Sequence, residues 1–72
     1  MTPYEIQQEL LNDVKECLGD DDGLIYVSSE FGNWLTTHVY RTPDEVENER
    51  IWGRPLIITD GTGYSYAIQK LT

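Results

Sequence analysis

The sequence predicts an α+β fold, a two-layer sandwich with an N-terminal helix packed on a four-stranded antiparallel sheet, in the order α-β-β-(short α)-β-β. Three observations carry this expectation. Ile6, Leu10, Val14 and Cys17 recur at helical spacing near the start of the chain. Four later segments are rich in β-branched and aromatic residues. Glycine-bearing turns, Gly32-Asn33 and Asp60-Gly61-Thr62-Gly63, separate those segments in pairs. At 72 residues the chain is expected to be a single domain, 1–72, near the lower limit for a fold held by its core alone.

The first element starts at Thr2-Pro3-Tyr4-Glu5. Thr2 can cap the helix, Pro3 suits its first position, and Glu5 completes a capping box three residues on. Leu11 and Leu18 widen the apolar stripe, and Gly19 ends it, giving a helix over 3–18. Asp20-Asp21-Asp22-Gly23 is a turn, and 24–29 reads as a strand. Gly32-Asn33 then predicts a tight hairpin turn leading to a second strand over 34–41.

Thr42-Pro43-Asp44-Glu45 repeats the opening signature and predicts a short helix ending near Arg50, broken by Trp52-Gly53-Arg54-Pro55. A third strand covers 56–59, Asp60–Gly63 makes a second hairpin turn, and a fourth strand covers 64–71. Alternation places Ile25, Val27, Leu35, Val39, Ile57 and Ala67 against the helix. It places Tyr26, Trp34, His38, Tyr40, Tyr64 and Tyr66 on the other side.

Charge speaks to partners. Thirteen carboxylates against five basic residues leave a net charge of -8, a field that repels nucleic acid and attracts basic proteins. Glu5, Glu9, Asp13 and Glu16 fall on one side of the first helix, opposite its apolar stripe. Neighbours four apart sit about 6 Å apart along the axis, comparable to the distance between successive phosphates on a nucleic-acid strand, measured between neighbours and not along its axis. Asp20, Asp21 and Asp22 continue the line, and Asp44, Glu45, Glu47 and Glu49 form a second cluster.

Two readings compete for these residues: a phosphate-mimicking surface, or a solvated face that keeps a small domain soluble. The imbalance favours the first. Lys15 is the only base on the helix, so the stripe forgoes the opposite-charge pairs that support ordinary helix surfaces. Asp20–Asp22 also follow a helix C-terminus, where the macrodipole disfavours negative charge.

Tyr26, Trp34, Tyr40, Tyr64 and Tyr66 are either the aromatic contacts of a partner or rings half-buried against each other and the short helix. Stacking on nucleobases requires Lys and Arg beside the rings, and five bases are too few, so direct nucleic-acid binding is not expected. No catalytic motif stands out, and the chain is not expected to be an enzyme. Cys17 is expected as a small core residue and His38 as a lone strand histidine. No cofactor and no metal are implied: the Asp20–Gly23 turn lacks the alternating ligands and closing Glu of a calcium loop. Asp60–Gly63 lacks the Lys and following helix of a phosphate-binding loop.

A lone cysteine, no basic-apolar leader and no long apolar run predict a cytoplasmic protein that does not enter membranes. In size, acidity and inferred layout the chain resembles the small inhibitors of phages and mobile elements: DNA-mimic anti-CRISPR and anti-restriction proteins, and uracil-DNA glycosylase inhibitors. Immunity proteins against nuclease toxins share the acidity. Pro43-Asp44-Glu45-Val46-Glu47 and Leu56-Ile57-Ile58-Thr59-Asp60 are similar to pieces of a uracil-DNA glycosylase inhibitor.

That resemblance implies an inhibitor that occupies the nucleic-acid site of a basic partner, in a host cytoplasm if phage-encoded. The alternative is a regulatory or structural subunit that binds through an aromatic sheet face. An open sheet also leaves two edges through which a homodimer can form.

Overall fold

The computed structural model describes residues 2–71. Its elements are α1 (Pro3–Cys17), β1 (Gly23–Ser28), α2 (Ser29–His38), α3 (Pro43–Glu47), β2 (Arg50–Ile51), β3 (Arg54–Thr59) and β4 (Tyr66–Lys70). The fold is α+β, with an N-terminal helix and a four-stranded sheet. The sheet is mixed, in the order β2-β3-β1-β4. β1 runs parallel to β3 and antiparallel to β4, and β2 runs antiparallel to β3.

The two capping boxes form as the sequence predicts. Thr2 accepts from the Glu5 amide at 3.2 Å while Glu5 Oε1 accepts from the Thr2 amide, and Thr42 and Glu45 repeat the arrangement. Leu18 caps the C-terminus of α1, followed by Gly19 in the left-handed region at φ +56. The apolar stripe differs from expectation at two positions. Gln7 is buried, and Cys17, expected in the core, is exposed.

Both expected hairpins are absent. The residues assigned to a second strand over 34–41 instead lie mainly in α2. Ser28, the last residue of β1, caps it by accepting from the Phe31 amide at 3.4 Å. Gly32-Asn33, read as a turn, therefore lies inside a helix. The close packing explains the glycine, because a Cβ there would press on the Ile58 side chain at 3.0 Å. His38 ends this helix and is not on a strand.

The Asp60–Gly63 segment is not a hairpin turn either. It carries the chain past β1, so that β3 and β4 flank that strand on opposite sides. Ser28 anchors the passage: its hydroxyl donates to Gly63 O at 2.7 Å and accepts from Ser65 N at 3.2 Å. The actual hairpin joins β2 to β3, where Trp52 (φ 51) and Gly53 (φ 78) form a two-residue turn with both residues left-handed.

Leu10, Val14 and Leu18 of the α1 segment, Phe31 and Leu35 of α2, and Ile25, Val27, Ile51 and Leu56 of the sheet form the buried core. α1 packs beside β4 and α2 over β1 and β3. The register of β3 is one residue from that expected. Leu56, opposite Ile25, faces the core, which turns Ile57 to the other side. The same slip in β4 puts Tyr66 and Ile68 on the core side and Ala67 away from it. Gly23 is fixed by contact with this core: a Cβ there would collide with the Leu18 methyls.

Candidate functional site

The outer surface of α1 is a shallow, open concavity lined by Tyr4, Glu5, Gln8, Glu9, Asn12, Asp13 and Glu16. Helical spacing brings the four predicted carboxylates together there, and no basic side chain lines it. The stripe leans toward one side of the helix, because α1 packs along β4 and half-buries Asp13.

At that seam the Tyr66 hydroxyl reaches up from β4. It donates to Glu9 Oε1 at 2.9 Å and contacts Asp13 Oδ2. One hydroxyl proton thus sits between two carboxylates a helical turn apart, and softens their mutual repulsion. Burial, followed by the bonds to Asp13 and Glu9, pushes the Tyr66 phenol far above the ordinary tyrosine range. Sequence spacing finds Glu9 and Asp13. Tyr66 is found only through the register of β4, since the pair is remote along the chain.

The other predicted acids divide among different tasks. Glu5 is both part of the concavity and half of a capping box. The bonds from the Thr2 amide and hydroxyl hold its carboxyl below the usual range. Glu45 accepts from the Thr42 amide and, at 3.3 Å, from the Gly53 amide, which together lower its pKa. It therefore ties α3 to the β2–β3 turn. Asp44 accepts from the Asn48 side chain at 3.1 Å. Asp21 pairs with Lys70 at 3.0 Å, and Asp20 and Asp22 are exposed beside it.

Glu47 and Glu49 are exposed near β2. β2 and β4 are opposite edges of the sheet, so the two acidic clusters do not form one surface. The carboxylates of α1 lie along β4, while Asp22, past the end of the helix, lies beside Arg50, Gly53 and Arg54.

The aromatic set does not form a platform. Phe31 gathers Trp34, Tyr64 and Tyr66 around itself, with ring centroids 6.4, 6.1 and 6.4 Å away. Tyr26 lies on the opposite face of the sheet, where its hydroxyl donates to Gln69 at 2.9 Å. Tyr40 is 85% exposed in the segment after α2. The register slip accounts for Tyr26 and Tyr66 parting, and the helical state of 29–38 accounts for Trp34. His38 stacks on Trp34 at 4.6 Å and bonds to its carbonyl through Nδ1 at 3.0 Å. Cys17 and His38 belong to different helices.

No three His, Cys, Asp or Glu side chains among the described residues are grouped to hold a metal ion. No described helix is long and apolar enough to cross a membrane. No protein-family model, curated protein or solved structure matches the chain. Pro43–Glu47 forms α3, and Leu56–Thr59 forms the end of β3.

Proposed function

We propose that this chain is a non-catalytic, acidic protein-binding inhibitor that occupies the nucleic-acid site of a basic partner. The observation that carries the reading is the α1 concavity: Glu5, Glu9, Asp13 and Glu16 line it without a single base. Tyr66 adds pre-organisation, since it holds two of the four carboxylates in place before a partner arrives. The field of a chain with net charge -8 accelerates the encounter, and the aligned carboxylates then accept from Lys and Arg side chains. Anti-CRISPR, anti-restriction, nuclease and glycosylase inhibition all fit this description. The aromatic-face alternative has less support, because the five rings do not share a surface.

The test compares the native chain with a Glu9→Gln/Asp13→Asn/Glu16→Gln variant, which spares the capping Glu5. Each is immobilised and offered host lysate at low salt, with and without added duplex DNA. The reading expects capture of basic nucleic-acid-handling proteins that is displaced by DNA, weakened by salt and lost in the variant. Capture that survives both DNA and the triple substitution would falsify it.

A further inference from the structure

A second surface lies at the other end of the molecule. β2 covers β3 only at Arg54 and Pro55. The next contact on that side is the Leu56 amide, which donates to Glu49 O at 2.8 Å. Main-chain groups alternate sides along a strand, so the Ile58 N–H and C=O point the same way as the Leu56 amide, away from β1. Glu49 turns its own N–H to Val46 O at 3.3 Å, and so leaves the Leu56 carbonyl without that donor.

Beside this bare stretch runs a cleft of about 300 Å³, lined by Arg41, Val46, Glu49, Leu56, Ile57 and Ile58. Two of its apolar walls, Val46 and Ile58, are 49% and 51% exposed. Arg41 closes one side, held by its bonds to Arg50 O at 3.1 Å and Thr36 Oγ1 at 3.2 Å.

We propose that this edge of β3 is a docking site for an extended segment of another protein, which adds beside Leu56–Thr59 as a further strand. Such a segment gains main-chain bonds to Leu56 and Ile58 and seats an apolar side chain between Val46 and Ile58. Charge selects it further. Glu49 lines the cleft, and Glu47 is exposed on the adjoining helix. Arg41 keeps its positive charge, since both of its acceptors are neutral and its buried Nε has no partner, so it suits a main-chain carbonyl of the added segment. Glu47, Glu49 and the net charge of -8 favour Lys or Arg flanking the apolar residues at the rim. A second acidic copy of this chain suits it poorly. This surface is independent of the α1 reading, because it lies toward the opposite edge of the sheet.

The test uses a blocked peptide, acetyl-KTVTVTK-amide, and amide hydrogen exchange on the intact chain. In the free chain the Ile58 amide should exchange faster than the Ile57 amide, which faces β1. At a free peptide concentration about ten times its Kd, Ile58 exchange should slow about tenfold by mass action.

A control peptide N-methylated at alternate amides keeps the charge and loses the bonds, and should give no protection. Val46→Ser, at a half-exposed wall outside the buried core, removes the apolar seat and should weaken binding severalfold. Glu49→Gln should weaken it severalfold. The proposal fails if the peptide does not bind, if the N-methylated peptide binds equally, or if Ile58 is already as protected as Ile57. Protection that grows with chain concentration in the absence of peptide assigns the edge to a second copy, and overturns the proposal too.

Discussion

The Tyr66 hydroxyl on β4 bonds to the Asp13 carboxylate on α1, joining the last strand to the first helix at the centre of the acidic stripe. Glu9 shares the same hydroxyl. The contact serves the fold and the candidate surface at once, and the two roles are separable by substitution.

Tyr66→Phe keeps the ring packed near Phe31 and removes only the hydroxyl. The loss expected in urea unfolding is about 1 kcal/mol, the net worth of a partly exposed hydrogen bond. A double-mutant cycle with Asp13→Asn gives the sharper result. Tyr66→Phe should cost less in the Asp13→Asn background, because the shared bond is then already weakened. Strict additivity would mean that the contact contributes nothing in solution.

Alkaline pH tests the same group. The Tyr66 pKa is raised in the folded state by burial and by the bonds to Asp13 and Glu9. An unfolded tyrosine ionises near pH 10, so above about that pH the folded chain holds a proton that the unfolded chain has lost. The sign follows: the Tyr66 contribution is complete below the unfolded pKa and declines as pH rises through the folded one. Stability should therefore fall more steeply above about pH 10 in the native chain than in Tyr66→Phe. Parallel curves from pH 9 to 12, as read by urea midpoints, would refute this.

Ser28 offers the strongest single-atom test of the fold. Its buried hydroxyl caps α2, donates to Gly63 O and accepts from Ser65 N. Ser28→Ala should cost about 2 kcal/mol, since a helix cap and the loop anchor are lost together. A midpoint shift corresponding to less than about 0.5 kcal/mol would show that the loop is held by other contacts.

Glu49 should respond in the opposite direction. It is exposed and holds φ at 54, where a β-carbon is strained. Glu49→Gly relieves that strain and should stabilise the chain by up to about 1 kcal/mol, less the added freedom of the unfolded glycine. The check is a rise in the urea midpoint at unchanged slope; a fall would show that the Glu49 side chain supports the turn.

The legible parts of this fold are those written locally. Thr2-Pro3-Tyr4-Glu5 and Thr42-Pro43-Asp44-Glu45 specify their capping boxes from four residues each, and α1 follows from its period. α2 was illegible for a physical reason. Gly32, Asn33 and the Thr36-Thr37 pair all disfavour a helix locally. Burial of Phe31 and Leu35 and the close approach to Ile58 outweigh that preference. The Phe31–Leu35 and Trp34–His38 spacings of four were the available signal.

The mixed sheet was hidden too, because pairing partners remote in sequence leave no mark on either segment alone. Of the candidate site, the carboxylates were visible as a stripe, whereas the Tyr66 anchor and the separation of the two acidic clusters depend on strand order.

The placement of β1 bears on how the chain reaches this state. Ile25 is flanked by Leu56 and Ile68, both in the second half of the sequence. The central strand has no hairpin through which to zip up, and the one local hairpin, β2–β3, carries a turn of two left-handed residues at the rim. Loop closure must precede most of the sheet's hydrogen bonds, a topology that slows folding relative to helical domains of this size. α1, whose capping box and period are local, is the element able to form early, and it waits with its apolar side uncovered until β4 arrives, whereas α2 depends on its contact with Ile58 of β3. During synthesis the carboxylates of α1 therefore emerge before the floor they rest on, and while they wait their repulsion discourages growing chains from sticking to one another.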